Sequence, residues 1–287
     1  MLEEFLADWP KHELLAVTMT GELCDCFPSR RDGVLQILDA VAGLRSRNPV
    51  RIWCNDARFV ALDEARAQPL QVASANWLAL AHFASRFARR GPALLIDVGS
   101  TTTDIVPLLD GNPVPKGRCD AERLRFGELV YLGARRTPLN VLLGTSGAAE
   151  SFATMQDVLL VLGFVGENHG DGDTADGRPA IRSAAEARLA RMICADVETS
   201  TAQEREGLAT QLLHRWTDTV ATAVDKVAAS LPAPPETILL AGSGEFLAKK
   251  VLRNGVAHIL SFSEVLGADV STAACAYSMA VLAEELV

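Results

Sequence analysis

Apolar residues in this chain recur in two rhythms. Short unbroken runs, Leu94-Leu95-Ile96, Ile105-Val106-Pro107-Leu108-Leu109 and Ile238-Leu239-Leu240-Ala241, have the length and composition of buried strands. Longer stretches with apolar positions three and four apart, over residues 32–44, 74–89, 184–197, 203–231 and 271–286, predict helices. Residues 13–20 and 51–54 read as further strands, followed by the apolar segment Phe59 to Leu62, and residues 257–262 read as a late strand. Asp110-Gly111 is a hairpin-turn dipeptide, so residues 112–116 should return as a third antiparallel strand. The helix over 203–231 stops at Pro232-Ala233-Pro234-Pro235, and that over 74–89 ends in Arg86, Arg89 and Arg90 before Gly91-Pro92, cations that suit a helix C-terminus. The second break divides the chain into two expected lobes, residues 1–90 and 91–287. Strands alternating with helices make the fold class α/β.

The polar tract between the first two runs carries the chemistry. Asp97-Val98-Gly99-Ser100-Thr101-Thr102-Thr103-Asp104 joins two apolar strands through glycine and hydroxyl residues, with an acid at each end. A hairpin tip of this kind exposes backbone N–H groups and hydroxyls, which is what a phosphate cradle needs. Two carboxylates beside a phosphate would repel it unless a divalent cation stood between them, and hard oxygen donors suit magnesium. Asp97 and Asp104 are therefore the expected catalytic and metal positions, with Gly99, Ser100, Thr101, Thr102 and Thr103 binding phosphate. An ordinary hairpin, with Thr favouring strand and Asp and Gly favouring turn, is the competing reading. A second glycine turn, Gly242-Ser243-Gly244, follows the strand at 238–241 and opens a helical pattern, so it offers close backbone approach and free N–H groups to a second phosphate contact.

Other segments add candidates. The loop from Thr20 to Arg31 is denser in Thr, acids and Arg than a connector requires, which singles out Thr20, Glu22 and Asp25, with Thr18 at the end of the strand before it. Arg123, Arg125, Arg135 and Arg136 cluster after the hairpin and suit an oxyanion clamp, or surface ion pairs. The tract Gly166 to Pro179 has no apolar periodicity and reads as a mobile substrate or metal loop, with Asp173, Asp176 and Arg178 as its contacts. It is not a calcium loop, because the twelfth position falls on Arg182 rather than Glu.

Composition narrows the field. A net charge of -9 argues against a general nucleic-acid binder. No run of apolar residues is long enough for a membrane span, and acids stand near the N-terminus where a signal peptide carries bases, so a cytoplasmic address is expected. The six cysteines are scattered, as in reduced proteins, and Cys24-Asp25-Cys26 lacks the second pair a zinc site needs.

The hairpin and glycine turn together resemble the second phosphate motif and the adenosine motif of the actin, sugar kinase and Hsp70-like ATPase superfamily, and D-x-G-x-T-x-T-D is closest to its hydantoinase/oxoprolinase branch. The segments Ala16 to Phe27, Ala75 to Ala81, Phe152 to Val158, Thr174 to Arg178 and Arg188 to Asp196 further resemble members linked to tetrahydromethanopterin-dependent one-carbon transfer. The resemblance implies a ribonuclease H-like, actin-like α/β fold with two lobes and places Asn76 at the ligand cleft. It also implies a transferase that helps assemble the furan-containing carrier methanofuran. That enzyme would join a furan-methyl diphosphate to a γ-glutamyl phenolic partner, with magnesium, and release pyrophosphate. An ATP-dependent small-molecule kinase or amidohydrolase, and a non-catalytic binding subunit, are the alternatives. The superfamily's opening D-x-G-G hairpin has no counterpart here. The expectation is a shortened first lobe, or a start codon assigned too late, and an exposed strand at 13–20 that pairs with a second copy in a homodimer.

Overall fold

The computed structural model describes Glu4, Leu6, residues 9–10, 12–44, 48–252 and 258–286. The chain begins with β1 (Leu15–Val17), α1 (Arg30–Ala42), β2 (Val50–Trp53), β3 (Phe59–Val60), α2 (Leu62–Ala67) and α3 (Asn76–Ala84). β4 (Pro92–Val98), β5 (Thr103–Leu109) and β6 (Asn112–Pro113) follow, then α4 (Asp120–Phe126), β7 (Leu129–Val130), α5 (Asn140–Leu143) and α6 (Met155–Val161). Next come α7 (Arg182–Met192), α8 (Ala202–Ala228), β8 (Thr237–Ala241), α9 (Glu245–Val251), β9 (His258–Ser261), α10 (Phe262–Val265), α11 (Ala268–Thr272) and α12 (Ala274–Glu284). Ala257, included in the expected late strand, lies outside the described residues.

These elements form a mixed α/β structure with two sheets. The small one has the order β1-β2-β3, with β1 parallel to β2. The large one has the order β6-β5-β4-β8-β9, with β7 also paired to β5. Its middle is fixed by two registers. β4 and β5 are antiparallel with Asp97 opposite Asp104, and β4 and β8 are parallel with Asp97 opposite Ala241. The two acids and the start of the glycine turn are thus neighbours across the sheet.

Alternation along β4 decides what lies on each face. Leu94, Ile96 and Val98 point into the larger core, packed by α6, α7, α8 and α9. Ala93 and Leu95 point the other way, into a core shared with Trp77, Leu80, Phe83 and Ala84 of α3, Phe262 and Ala274. Asp97 falls in phase with this second set, which turns it toward α3 and α12. The core of the large sheet therefore includes residues 77–88, so the expected division at 90/91 falls inside a packed unit. The small sheet has its own core around Val34, Leu38, Ile52 and Val60. Trp53, Ala75, Ala79 and Met279 join it to α3 and α12.

Helix ends differ from the expected ones for local reasons. α7 stops at Met192 instead of reaching 197, because Cys194 adopts a positive φ of 57°. The last helix divides at Ala273 into α11 and α12. Among the described residues no helix is long and apolar enough to cross a membrane. Trp216, on α8, is fully buried in the larger core. Trp216→Ala should lower the free energy of unfolding by about 3–5 kcal/mol; a urea titration with an unchanged midpoint would contradict that packing role.

Candidate functional site

The hairpin tip between β4 and β5 is locked from below by backbone bonds. Gly99 N–H donates to Thr102 O at 2.9 Å, Ala134 N–H to Gly99 O at 2.9 Å, and Arg135 and Arg136 N–H both to Ser100 O, at 3.0 and 2.8 Å. A Cβ on Gly133 would stand 2.5 Å from Thr101 N, so glycine lets the 132–137 segment press against the tip. Thr103 is fully buried and its hydroxyl donates to Leu132 O at 2.7 Å. It holds the hairpin to this segment, and does not line the cavity as a phosphate ligand would.

The glycine turn seats directly on the tip. Gly242 has φ +96°, and a Cβ there would meet Asp97 Oδ1 and Val98 O at 2.3 Å. Gly244 N–H donates to Val98 O at 2.8 Å, and a Cβ on Gly244 would strike Val98 Cγ1 at 2.4 Å. Both glycines are demanded by close packing, and Gly244, expected to bind phosphate, does not line the cavity because it is pressed against Val98 and Ala134. Behind the turn, the buried carboxylate of Glu245 accepts from the hydroxyls of Ser261, Ser263 and Ser271 and from Ser263 N–H. Ser271 O in turn accepts from Gly242 N–H at 3.1 Å. This network ties the turn to α11 and so to the wall that α12 begins.

Above the tip opens a cavity of about 770 Å³, large enough for a diphosphate with an organic group attached. Of the expected residues, Asn76, Asp97, Gly99, Ser100, Thr101, Thr102, Asp104, Gly242 and Ser243 line it. Burial pushes the Asp97 carboxyl up to about 7, the Asp104 charge adding to the rise while the Cys275 thiol and Arg123 oppose it. Cys275 Sγ lies 3.8 Å from Asp97 Oδ2, and Asn76 Nδ2 lies 3.6 Å from the same sulfur. Asp104 is also raised by burial, against the pull of Arg123. Arg123 is fully buried: Nη2 reaches Asp104 Oδ1 at 2.8 Å and Glu128 O at 3.0 Å, and its guanidinium lies 3.8 Å over the Trp77 ring. Trp77 is thus a core residue supporting a charge pair, while Asn76 beside it reaches the cavity.

The two acids differ in availability for a metal. Asp104 has one oxygen engaged by Arg123, whereas Asp97 is held only by a thiol. Among the described residues no group of three or more His, Cys, Asp or Glu side chains can hold an ion. The donor set fits a magnesium ion that completes its shell from water and phosphate oxygens, as that ion commonly does.

Several expected contacts lie elsewhere. Asp176 pairs with Arg178 at 2.6 Å, Arg188 at 2.9 Å and Arg191 at 3.2 Å, and Arg188, fully buried, also holds Asp157 at 2.7 Å. Burial would raise the Asp176 carboxyl, but the bonds from Arg178 and Arg188 outweigh it and hold the group far below its ordinary range. Asp176 and Arg178 therefore pin the 166–179 loop to α7; neither lines the cavity, and the loop is anchored by this network. Asp173 faces Arg135 and Arg136 at the outside of the same loop. Glu22 is fully buried, accepts from Ser74 Oγ and lies 3.9 Å from Arg30 Nε, a packing role between α1 and the segment before α3. Thr20 and Asp25 are exposed and away from the cavity. Thr18 lines a separate groove between β1 and α12, which adjoins the cavity at Ala276. The cavity also takes in Arg135, Gln156, Asn168, Asp171, Phe246 and Cys275. Of these, Arg135 carried a sequence signal as one of four clustered arginines, Asn168 and Asp171 lie in the 166–179 tract expected to meet substrate or metal, and Gln156 lies in the family-like segment 152–158.

An acid held protonated by burial fixes a pH signature. With its folded-state value near 7, above the usual carboxylate range, the folded chain keeps the Asp97 proton longer than the unfolded chain. That contribution to stability is complete at acid pH and is lost as pH rises through about 7. Asp97→Asn removes the dependence, so in EDTA its stability relative to the native chain should improve by on the order of 4 kcal/mol between about pH 4 and pH 8. Urea titrations across that range check it; a constant difference would contradict it.

The Hydantoinase/oxoprolinase family profile matches residues 13–284. A (4-{4-[2-(gamma-L-glutamylamino)ethyl]phenoxymethyl}furan-2-yl)methanamine synthase from Methanocaldococcus jannaschii is 31% identical over 294 residues, covering 99% of this chain and 87% of the relative. The protein of the same name from Methanococcus vannielii is 33% identical over 201 residues, covering 66% of this chain and 89% of the relative. Among solved structures, nucleotide-free acetone carboxylase superposes with a TM-score of 0.51 at 15% identity, over 80% of this chain. This chain spans only 35% of that larger protein. ATP-dependent caprolactamase from Pseudomonas jessenii gives a TM-score of 0.42 at 14% identity, over 86% of this chain and 38% of its own. The chain belongs to the hydantoinase/oxoprolinase family.

Proposed function

We propose that this chain makes the phenoxymethylfuran ether for which its methanogen relatives are named, by a condensation in which a furan-methyl diphosphate and a γ-glutamyl phenol are joined through an aryl ether and pyrophosphate leaves. The phenolic oxygen bonds to the furan methylene carbon as that carbon's bond to the diphosphate oxygen breaks, and the phenolic proton is released. The product is a methanofuran precursor, made in the cytoplasm. The observation that carries this reading is the cavity in which the Asp97 hairpin and the Gly242 turn meet, in a chain similar to the Methanocaldococcus jannaschii synthase over 99% of its length.

On this reading the hairpin tip and Ser243 bind the diphosphate through hydroxyl and N–H groups at Ser100 to Thr102, the Gly99 N–H being taken by Thr102 O. Magnesium, when bound, neutralises charge on the leaving pyrophosphate. Asp97 and Asp104 would hold the ion, Asp104 with one oxygen already engaged by Arg123. Phe246, Leu159 and Val165 give the cavity an apolar wall suited to the furan or phenol ring. The same reading takes the molecule as a two-lobed ribonuclease H-like protein, the small sheet forming the reduced lobe. ATP is not required by the reaction, and an ATP-dependent kinase or amidohydrolase is the outcome to be tested against.

Isothermal titration separates the two. Magnesium pyrophosphate should bind in the micromolar range or tighter while ATP binds at least tenfold more weakly, about 1.4 kcal/mol; the reverse order would favour the ATP-dependent activity. Asp97→Asn should lose about 10²–10³ in turnover with furan-methyl diphosphate and γ-glutamyltyramine, a magnitude typical of removing one group that stabilises developing charge. Retention of full turnover in a folded Asp97→Asn protein would remove Asp97 from the mechanism.

A further inference from the structure

The cavity has an imbalance of charge. Three acids line it, Asp97, Asp104 and Asp171, and among its described lining residues Arg135 is the one cation. Of the other clustered arginines, Arg123 is buried against Asp104, and neither Arg125 nor Arg136 lines the cavity. An anionic substrate entering here finds a single protein-borne positive charge.

Arg135 is also rooted at the right place. Its own N–H donates to Ser100 O at 3.0 Å, so its side chain starts from the hairpin tip itself. Its guanidinium is bonded through one nitrogen: Nη2 reaches both oxygens of Asp171 at 2.9 Å, and Asp173 O and the more exposed Asp173 Oδ2 each at 3.3 Å. Nε is buried and has no acceptor. A buried N–H left without a partner is costly, and a guanidinium presents its donors as a planar fork that matches phosphate. Asp171 does not depend on Arg135 alone, for it also accepts from Asp173 N–H at 3.0 Å and from Gln156 Nε2 at 3.4 Å. The loop that carries it is held independently by the Asp176 network.

We propose that Arg135 is the oxyanion-binding side chain of this cavity and that Asp171 is its resting counter-ion, displaced when the substrate diphosphate enters. The inference rests on reading the cavity as a diphosphate site. Nε, unsatisfied in the resting state, gains a phosphate oxygen, and Asp171 keeps its other two donors. The exchange couples occupancy to the 166–179 loop, because one of the loop's ties to the hairpin is given up as the ligand binds.

The two partners should then respond in opposite directions. Isothermal titration of magnesium pyrophosphate into the native chain, Arg135→Ala, Arg135→Lys and Asp171→Asn tests this, with circular dichroism to check folding. Arg135→Ala should weaken binding at least tenfold, about 1.4 kcal/mol, and Arg135→Lys should fall between it and the native chain. Asp171→Asn should tighten binding about threefold or more, because it removes the competitor. Unchanged binding in Arg135→Ala, or a loss in Asp171→Asn as large as that in Arg135→Ala, would overturn the proposal while leaving the diphosphate site intact. Absence of pyrophosphate binding by the native chain would remove both. A parallel titration with γ-glutamyltyramine identifies the anion: a loss confined to that ligand in Arg135→Ala would assign Arg135 to the glutamyl carboxylate and overturn the diphosphate assignment.

Discussion

The register of three strands at the centre of the large sheet is the constraint on which the site depends. Because Asp97 stands opposite Asp104 on one side and Ala241 on the other, two acids and a glycine turn converge without any long-range loop. A slip of one residue in either pairing would turn Asp97 into the core packed by α6 to α9 and carry Gly242 off the hairpin. The fully buried faces of β4 make such a slip costly. Gly242 and Gly244 close the arrangement, since side chains there would collide with Asp97 and Val98.

The chemistry follows from what this geometry does to charge. Burial under a packed sheet raises both carboxylates toward the neutral form, the Asp104 charge adding to the rise at Asp97, and only Asp104 receives a full counter-charge, from Arg123. Asp97 is left with a thiol as its neighbour, the condition in which a carboxylate gains most from a cation arriving with its ligand. The buried arginine is itself supported by the Trp77 ring, so a residue of α3 contributes to the site through packing. On the far side, Glu245 and three serines hold the glycine turn against α11, which makes the turn a rigid part of the wall.

Much of this was legible in the sequence because it is written in local pattern. The apolar runs gave the strands of the large sheet, and the acids, glycines and hydroxyls of 97–104 and 242–244 marked the cavity before the sheet order was known. α4 and α6 escaped notice because helices of seven residues leave too short a window for periodicity, although Thr154 N–H donating to Asp157 Oδ2 caps α6 in a recognisable way. Asp176 and Arg178 looked like ligands because their loop is polar. The buried Arg188, which pairs with both Asp176 and Asp157, takes up this place only when α6 and α7 pack together. Cys275 sits in an alanine-rich helix with no sequence feature to mark it, and the distinction between Arg135 and its three neighbours depends on which way each side chain leaves the fold.

The most direct test is product formation. The purified protein, supplied with furan-methyl diphosphate, γ-glutamyltyramine and magnesium and no nucleotide, should release pyrophosphate in step with a phenoxymethylfuran ether detected by mass spectrometry. Absence of the ether under these conditions, together with condensation that proceeds only when ATP is hydrolysed, would contradict the account.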